Sequence, residues 1–142
     1  MNNMDKARVR AIGGVFFRSP DPEKTREWYS RHLGLQVDAY GTNFAWRDHD
    51  APEHIGHTQW SPMPESTDYL GDRGQQFMVN YRVDDLDGLL DALRQSGVEI
   101  VGEIQEEPYG RFVHVIDNDG RRVELWEPND EEYRKIVDGV TR

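Results

Sequence analysis

Glu124 and His114 are the two residues whose chemistry and sequence position best suit proton transfer. Glu124 lies in an apolar, strand-like segment, and burial among aromatic side chains would raise the pKa of its carboxyl group. Imidazole titrates near neutral pH, so His114 is the second candidate catalytic residue. The structural alternative is an ion pair between Glu124 and an arginine on the same sheet face. Both interpretations stay open from the sequence alone.

A second group of residues could line a ligand site. Side chains alternate between the two faces of a strand, so one face of each predicted strand collects aromatic, arginine and amide side chains. Apolar hollows with a few convergent polar groups are typical of small-molecule sites, although a solvent-facing surface or an oligomer interface is the alternative. The candidate ligand-binding residues are Phe16, Arg18, Trp46, Trp60, Met78, Asn80, Arg82, Phe112 and Trp126.

Three histidines lie between residues 49 and 57, in a segment that contains proline and glycine. Their spacing matches no standard zinc motif, so the sequence favours a solvated loop. The strand at 57–61 is predicted to point Thr58 and Trp60 into the candidate site. A shift of one residue would reverse its faces and could bring His57, His114 and Glu124 together as an alternative metal site.

Composition excludes several classes of function. The chain has 142 residues, with 17 Lys and Arg against 27 Asp and Glu, a net charge of −10 and no cysteine. Nucleic acids and anionic membranes require a basic surface, so neither is an expected partner. Without cysteine there is no disulfide, thiolate nucleophile or iron–sulfur cluster. No membrane span or signal peptide is evident, so we expect a cytoplasmic protein that binds a small molecule.

The chain repeats itself. Residues 14–21 align with residues 78–85, and a valine, an aromatic residue, an arginine and an aspartate coincide. The tripeptides Trp-Ser-Pro at 60–62 and Trp-Glu-Pro at 126–128 match in the same order. Repeats of this kind define the architecture. They predict a single domain, 1–142, made of a module at 8–63, a linker at 64–74, a module at 75–128 and a C-terminal helix at 129–140.

Each module is predicted to contain a strand, a helix and three further strands. Asp21 followed by Pro22 is a helix start, and Gly34 suits a left-handed helix end. In the second module, leucines at helical spacing form the buried stripe. Asn129 and Glu132 have the spacing of a capping box for the C-terminal helix. Helices and strands in this order predict an α+β fold.

With these features the sequence resembles the vicinal oxygen chelate superfamily, the group of glyoxalase I, the bleomycin-resistance proteins and the extradiol dioxygenases. The motifs that carry the resemblance are SPDPEK at 19–24, VDDL at 83–86 and DNDGRRVELWEP at 117–128. The resemblance covers roughly residues 9–128. It implies two βαβββ modules that form an open, cupped mixed β-barrel with helices outside, commonly in a homodimer.

Enzymes of this superfamily typically hold a divalent metal with residues from the first and the closing strand of each module. Carried over position by position, these ligands fall on Gly14, Thr58, Met78 and Glu124. Glycine has no side chain, and a thioether suits hard or borderline metals poorly. We therefore expect no metal and no other cofactor, with the relocated set of His57, His114 and Glu124 as the alternative.

The resemblance and the residues together favour one function. It is a metal-independent protein that binds a small aromatic or anionic molecule in an aromatic-lined hollow, as the antibiotic-resistance members of the group do. The alternative is a lyase or isomerase, either metal-free with Glu124 as acid or base, or with the relocated metal. A third possibility is a module that acts through protein contacts. The expected partners are a small molecule and a second copy of the chain.

Overall fold

The computed structural model describes residues 7–142, which form three helices and one eight-stranded sheet. None of the helices in this part of the chain is long and apolar enough to cross a bilayer. The elements, in chain order, are β1 (Val9–Ser19), α1 (Pro22–Leu33), β2 (Thr42–Arg47), β3 (Ile55–Pro64), β4 (Phe77–Val83), α2 (Leu86–Gln95), β5 (Ile100–Glu107), β6 (Gly110–Ile116), β7 (Arg122–Pro128), α3 (Asp130–Ile136) and β8 (Val140–Thr141).

The helix ends follow the local sequence. The side chain of Asp21 accepts a hydrogen bond from the backbone N–H of Lys24, 3.1 Å away, and Pro22 occupies the first turn of α1. Gly34 ends the helix with a φ of 77°, and its N–H donates to the carbonyl of Ser30. The predicted start and end of α1 are therefore confirmed.

The sheet joins the two modules through their first strands. Its order is β5-β6-β7-β4-β1-β3-β2-β8, with β1 and β4 antiparallel at the centre. In each half the closing strand runs parallel to the first strand, β3 beside β1 and β7 beside β4. This mixed sheet, with its helices, has the open, cupped barrel arrangement that the resemblance implies. We call the concave face, which carries Phe16, Met78 and Glu124, the cup.

The two halves differ at the outer edge. In the second half α2 is followed by three strands, whereas in the first half α1 is followed by two, β2 and β3. The short β8 pairs in parallel with β2 and fills the edge position that β5 has in the other half. The hydroxyl of Thr141 accepts a hydrogen bond from the backbone N–H of Gln36 at 2.9 Å, so the chain terminus completes the first half.

The apolar core lies under α2. Leu86 and Leu90 of the helix are fully buried against strand residues of the second half, among them Val113 and Leu125. In contrast, no residue of α1 is fully buried. Tyr29 of α1 contacts the sheet, with its ring centroid 4.7 Å from that of Trp60, and the hydroxyl of Thr25 lies 2.8 Å from that of Ser19 on β1.

The C-terminal helix is shorter than predicted. Asn129 caps it by accepting a hydrogen bond from the N–H of Glu132, as expected, but α3 ends at Ile136 and not near residue 140. The chain then extends because the backbone N–H of Gly139 bonds to Asp38 and β8 pairs with β2. Tyr133 is buried, and its hydroxyl donates to Asn43 Oδ1 at 2.7 Å. The segment 129–141 therefore lies across the cup.

Candidate functional site

Strands β4, β6 and β7 place their side chains on the cup as parity predicts. On β4, Met78, Asn80 and Arg82 are all buried on this face. On β6 and β7, Phe112 pairs with Trp126, and the two rings stack 5.5 Å apart with an interplanar angle of 8°. This stacking fills part of the cup with protein.

The prediction for β3 is wrong by one residue. Trp60 pairs with Val15, and its ring lies 5.3 Å from that of Phe17 on the outer, α1 side of the sheet. Trp46 shares the face of Thr58, because its indole N–H donates to the Thr58 hydroxyl at 2.9 Å. Thr58 and Trp60 therefore do not lie on the cup, whereas the ring of Trp46 reaches the guanidinium of Arg82, 5.2 Å from the ring centroid. The residues of β3 that face the cup are His57, Gln59, Ser61 and Met63.

Glu124 is fully buried and accepts three hydrogen bonds. Asn80 Nδ2 donates to one carboxylate oxygen at 2.7 Å. The other oxygen accepts from the hydroxyl of Tyr69 and lies 2.9 Å from His114 Nε2. Arg122 donates to His114 Nδ1 at 3.4 Å, which makes Nε2 the nitrogen that donates to Glu124. We call Glu124, Asn80, Tyr69 and His114 the Glu124 network. The carboxylate is held by an amide, a phenol and an imidazole, and not by an arginine in an ion pair.

Tyr69 is the member of this network that sequence reasoning missed. It lies at 64–74, which was interpreted only as a polar linker, and its ring packs 4.9 Å from the imidazole of His114. Burial raises the pKa of the Tyr69 phenol, and the neighbouring charge of Glu124 raises it further, so the hydroxyl stays protonated as a donor. The available signal was Leu70, an apolar residue in a polar segment, which is completely buried.

Arg18 organises this linker. Its guanidinium faces the cup side of β1, but all five of its N–H groups donate to backbone oxygens. It therefore holds the linker against the sheet and has no free N–H for a ligand. The accepting carbonyls belong to Glu65, Thr67, Gly71, Asp72 and Gln75.

Arg82 connects the cup to α3. Its guanidinium lies between the rings of Trp46 and Trp126, at 5.2 Å and 4.9 Å from their centroids. One nitrogen donates to the carbonyl of His57 at 3.0 Å, and another donates to both carboxylate oxygens of Asp130 at the start of α3. Arg82 thus fixes the position of the helix that crosses the cup.

A cavity of about 480 Å³ lies beside these groups. It is bounded by β2 and β3 of the first half, by α3 and by Tyr109. Neither Glu124 nor any of the nine predicted ligand-binding residues lines it. With the correct parity of β3 the sequence would have indicated several of these positions. The residues that line it are Asp38, Tyr40, Gly41, Thr42, Asn43, Gln59, Ser61, Met63, Tyr109, Tyr133, Ile136 and Val137.

A second, larger cleft of about 650 Å³ includes Trp46 and Arg82. Several of its charged groups pair with one another. Arg82 pairs with Asp130, and Arg10 lies 2.6 Å from Asp84. The smaller cavity is therefore the better candidate for a ligand.

Sheet register also corrects the positions of the superfamily's metal ligands. Gly14 is opposite both Gln59 and Asn80, and Asn80 is opposite Glu124, so these four residues form one row across the sheet. Gln59 and Asn80 thus replace Thr58 and Met78 in the carried-over set. Gly14 offers no side-chain ligand atom, and the neutral amides of Gln59 and Asn80 leave Glu124 as the one anionic ligand, so the row does not fit a divalent metal.

The relocated metal set does not assemble either. His114 contacts Glu124, but the ring of His57 packs 5.7 Å from that of Tyr133, and its Nδ1 has no hydrogen-bond partner. Burial lowers the pKa of His57. Among residues 7–142, no three His, Asp or Glu side chains are grouped so as to hold a metal ion. The absence of a cofactor stays a prediction.

Solved structures with the same fold include several methylmalonyl-CoA epimerases. The enzyme from Mycobacterium tuberculosis is 24% identical with a TM-score of 0.61, over 90% of this chain and 94% of that one. A Streptomyces coelicolor variant in complex with 2-nitronate-propionyl-CoA is 15% identical with a TM-score of 0.64, over 86% and 99%. The NAD-dependent benzaldehyde dehydrogenase from Legionella pneumophila is 12% identical with a TM-score of 0.53, over 82% and 98%. Such identities show the fold alone.

No curated protein sequence matches this chain. A family model does match, over residues 11–125, and it describes the glyoxalase/bleomycin resistance protein/dioxygenase superfamily. The match spans both modules and agrees with the repeated motifs and with the cupped sheet. The chain is therefore a member of the glyoxalase/bleomycin resistance protein/dioxygenase superfamily.

Proposed function

We propose that this protein binds a small organic molecule, without a metal ion, in the cavity between β2, β3 and α3. The observation that carries the proposal is the cavity itself, whose volume of about 480 Å³ is in the range of small-molecule sites. Its walls combine the amides of Asn43 and Gln59 with the rings of Tyr109 and Tyr133. Such a wall can hold a flat guest by ring contacts and orient it by hydrogen bonds.

The Glu124 network argues for binding over catalysis. A general base must lie within hydrogen-bond reach of the proton that it removes. The carboxylate of Glu124 is engaged by Asn80, Tyr69 and His114, and neither Glu124 nor His114 lines the cavity. The network is therefore better suited to fixing the linker and β7 than to attacking a guest.

A second candidate function, a metal-free lyase or isomerase, has one observation in its favour. Tyr69, Glu124 and His114 form a continuous hydrogen-bonded chain of three groups that can each carry a proton. If a substrate displaces Tyr69 from Glu124, the carboxylate becomes available as an acid or base. Replacement of Glu124 by Gln separates the candidates, because it abolishes turnover in an enzyme but leaves ligand affinity nearly unchanged in a binding protein.

The cavity is tested by filling it. A screen of planar aromatic compounds by thermal shift identifies a compound that raises the melting temperature, since a ligand specific for the native state stabilises it. Calorimetric titration then compares Gln59→Trp, which places a ring in the cavity, with Phe44→Trp, which enlarges a ring on the other face of the same strand pair. We expect binding to be lost in the first variant and kept in the second. Equal affinity in both variants would contradict the proposal.

A further inference from the structure

We infer that the cavity selects an uncharged, partly aromatic molecule with hydrogen-bonding groups, and that it rejects carboxylates and phosphates. This inference rests on the proposed function and narrows it to one ligand class. It also decides between the two classes that the sequence left open, aromatic and anionic guests. The charges around the cavity carry the argument.

No basic side chain lines the cavity among the residues that the structure describes. A carboxylate or phosphate that enters must give up hydration, and this is costly unless a positive group or several donors replace the water. The overall charge of −10 adds long-range repulsion of anions. The site therefore lacks what an acidic ligand needs.

The two buried arginines that could bind an anion already form hydrogen bonds with other groups of the protein. Arg18 donates all five N–H groups to backbone oxygens of the linker. Arg82 is held by Asp130 and by the carbonyl of His57. Moving either guanidinium to meet an anion would break the contacts that hold the linker or α3 in place.

The one charged residue of the lining, Asp38, is not a free anchor for a cation. One of its oxygens accepts the N–H groups of Tyr40 and Gly41 at 2.8 Å and 3.1 Å, and the other accepts that of Gly139 at 3.0 Å. Three backbone donors thus stabilise the carboxylate and fix its position at the edge of the cavity. A positively charged guest must share this carboxylate with the backbone donors and give up its own hydration, which offsets part of the attraction between the charges.

The uncharged groups of the lining are suited to a neutral planar molecule. Asn43 accepts from the Tyr133 hydroxyl through Oδ1, so its Nδ2 remains as a donor for a guest. Gln59 supplies a second amide, while Met63 and the ring of Tyr109 supply apolar surface. An uncharged amide or lactam on an aromatic ring system can form hydrogen bonds with the two side-chain amides while its ring packs on the apolar surface.

Three matched probes test the inference: 2-naphthamide, 2-naphthoate and 2-(aminomethyl)naphthalene, titrated into the full chain at a pH of about 7. We expect 2-naphthamide to bind at least about tenfold more tightly than 2-naphthoate. A tenfold difference in Kd corresponds to a free energy that is smaller than the cost of burying an unpaired carboxylate. Equal or tighter binding of 2-naphthoate would overturn the inference. Binding of the amine about tenfold more tightly than the amide would also overturn it.

A charge introduced into the cavity provides the matched control. Gln59→Lys should raise affinity for 2-naphthoate by at least about tenfold, whereas Phe44→Lys, on the opposite face, should leave it unchanged. If 2-naphthoate binds best to the unmodified protein and Gln59→Trp abolishes binding, the ligand class is wrong but the binding function stands. If none of the three probes binds, or if Gln59→Trp leaves their affinity unchanged, the proposed function fails together with the inference.

Discussion

His57 is a histidine that the fold holds in an unfavourable environment for its charged form. Its side chain is buried against Tyr133, and its Nδ1 has no hydrogen-bond partner in the structure. Burial is the main reason that the pKa of His57 lies below its ordinary value of 6.5. The charge of Asp130 opposes this shift in part, and the charges of Arg82 and Arg134 add to it.

This environment predicts a loss of stability in mild acid. Because the folded-state pKa of His57 is below that of the unfolded chain, the unfolded state binds the proton more tightly. Stability is therefore complete above a pH of about 6.5 and falls as the pH decreases below that value toward the folded-state pKa. We expect the melting temperature of His57→Phe to depend less on pH than that of the unmodified protein between about pH 7 and 5.

The exposed His49 provides the control for this measurement. Its replacement by Gln should leave the pH dependence of the melting temperature unchanged, because the side chain of His49 is exposed to solvent. The interpretation fails if His49→Gln flattens the profile as much as His57→Phe does. It fails equally if neither substitution changes the profile.

At the scale of elements, local chemistry predicted α1, α2, the start of α3 and one half of the sheet well. The cap of α1 at Asp21 and its end at Gly34 depend only on neighbouring residues, so the sequence contains them. The faces of β4 follow from simple alternation, which is unbroken along that strand.

The register of β3 could not be obtained in the same way. The prediction aligned Trp60 with Trp126 of the repeat and assumed identical faces. In the structure Trp126 pairs with Arg82 on the cup, whereas Trp60 pairs with Val15 on the outer face. A shift of one residue reverses a strand's faces, so Trp60 packs under α1 and Gln59 lines the cavity.

The role of the linker was equally hidden from the sequence. Its path depends on Arg18, which is distant along the chain. The guanidinium of Arg18 donates hydrogen bonds to five backbone carbonyls between residues 65 and 75. Leu70 then inserts beside Phe16 and Met78, which brings Tyr69 to Glu124. Such contacts between distant segments are specified by the complete fold and not by local patterns.

The position of α3 depends on the ion pair between Arg82 and Asp130, which both have little exposed side-chain surface. Removal of one partner leaves a poorly solvated charge on the other, which typically costs about 3 kcal/mol or more. We therefore expect Arg82→Met to lower the free energy of unfolding by about 3 kcal/mol in urea titrations.

Arg134, an exposed residue of α3, provides the matched control for this substitution. Arg134→Met should change the free energy of unfolding by less than about 0.5 kcal/mol, as is usual for surface positions. The double variant with Asp130→Asn should cost less than the sum of the single changes, because the two side chains interact directly. Additive costs would show that Arg82 stabilises the fold through Trp46 and Trp126 and not through α3.

The whole molecule combines two similar halves of unequal packing. The second half has a core of buried aliphatic residues under α2, whereas α1 buries none of its residues completely. Trp28 and Leu33 of α1 are 52% and 58% exposed, and Phe77 beside this face is 58% exposed. The expected homodimer and the cytoplasmic location stay predictions, and this exposed apolar surface is where a second copy would be sought first.

Unequal packing predicts unequal local stability. Amide groups exchange with solvent through local opening, and helices with few buried contacts open at a lower free energy than helices on a packed core. We expect the amides of α1 to exchange at least about tenfold faster than those of α2 in native-state hydrogen exchange measured by mass spectrometry. Because the cavity lies in the less densely packed half, a bound guest should slow exchange in β2, β3 and α3 and leave α2 unaffected.

The comparison between the halves contains its own control, since α1 and α2 follow equivalent strands and are read from the same sample. Slow exchange in α1 could come from a second copy that covers the helix or from contacts within the chain. Dilution of the protein separates these two causes. If α1 is as slow as α2 in a concentrated sample and becomes fast on dilution, a second copy covers its exposed face. If α1 is slow at every concentration, aromatic contacts such as that between Tyr29 and Trp60 stabilise the first half as well as aliphatic packing stabilises the second. The proposed link between loose packing and the site would then be wrong.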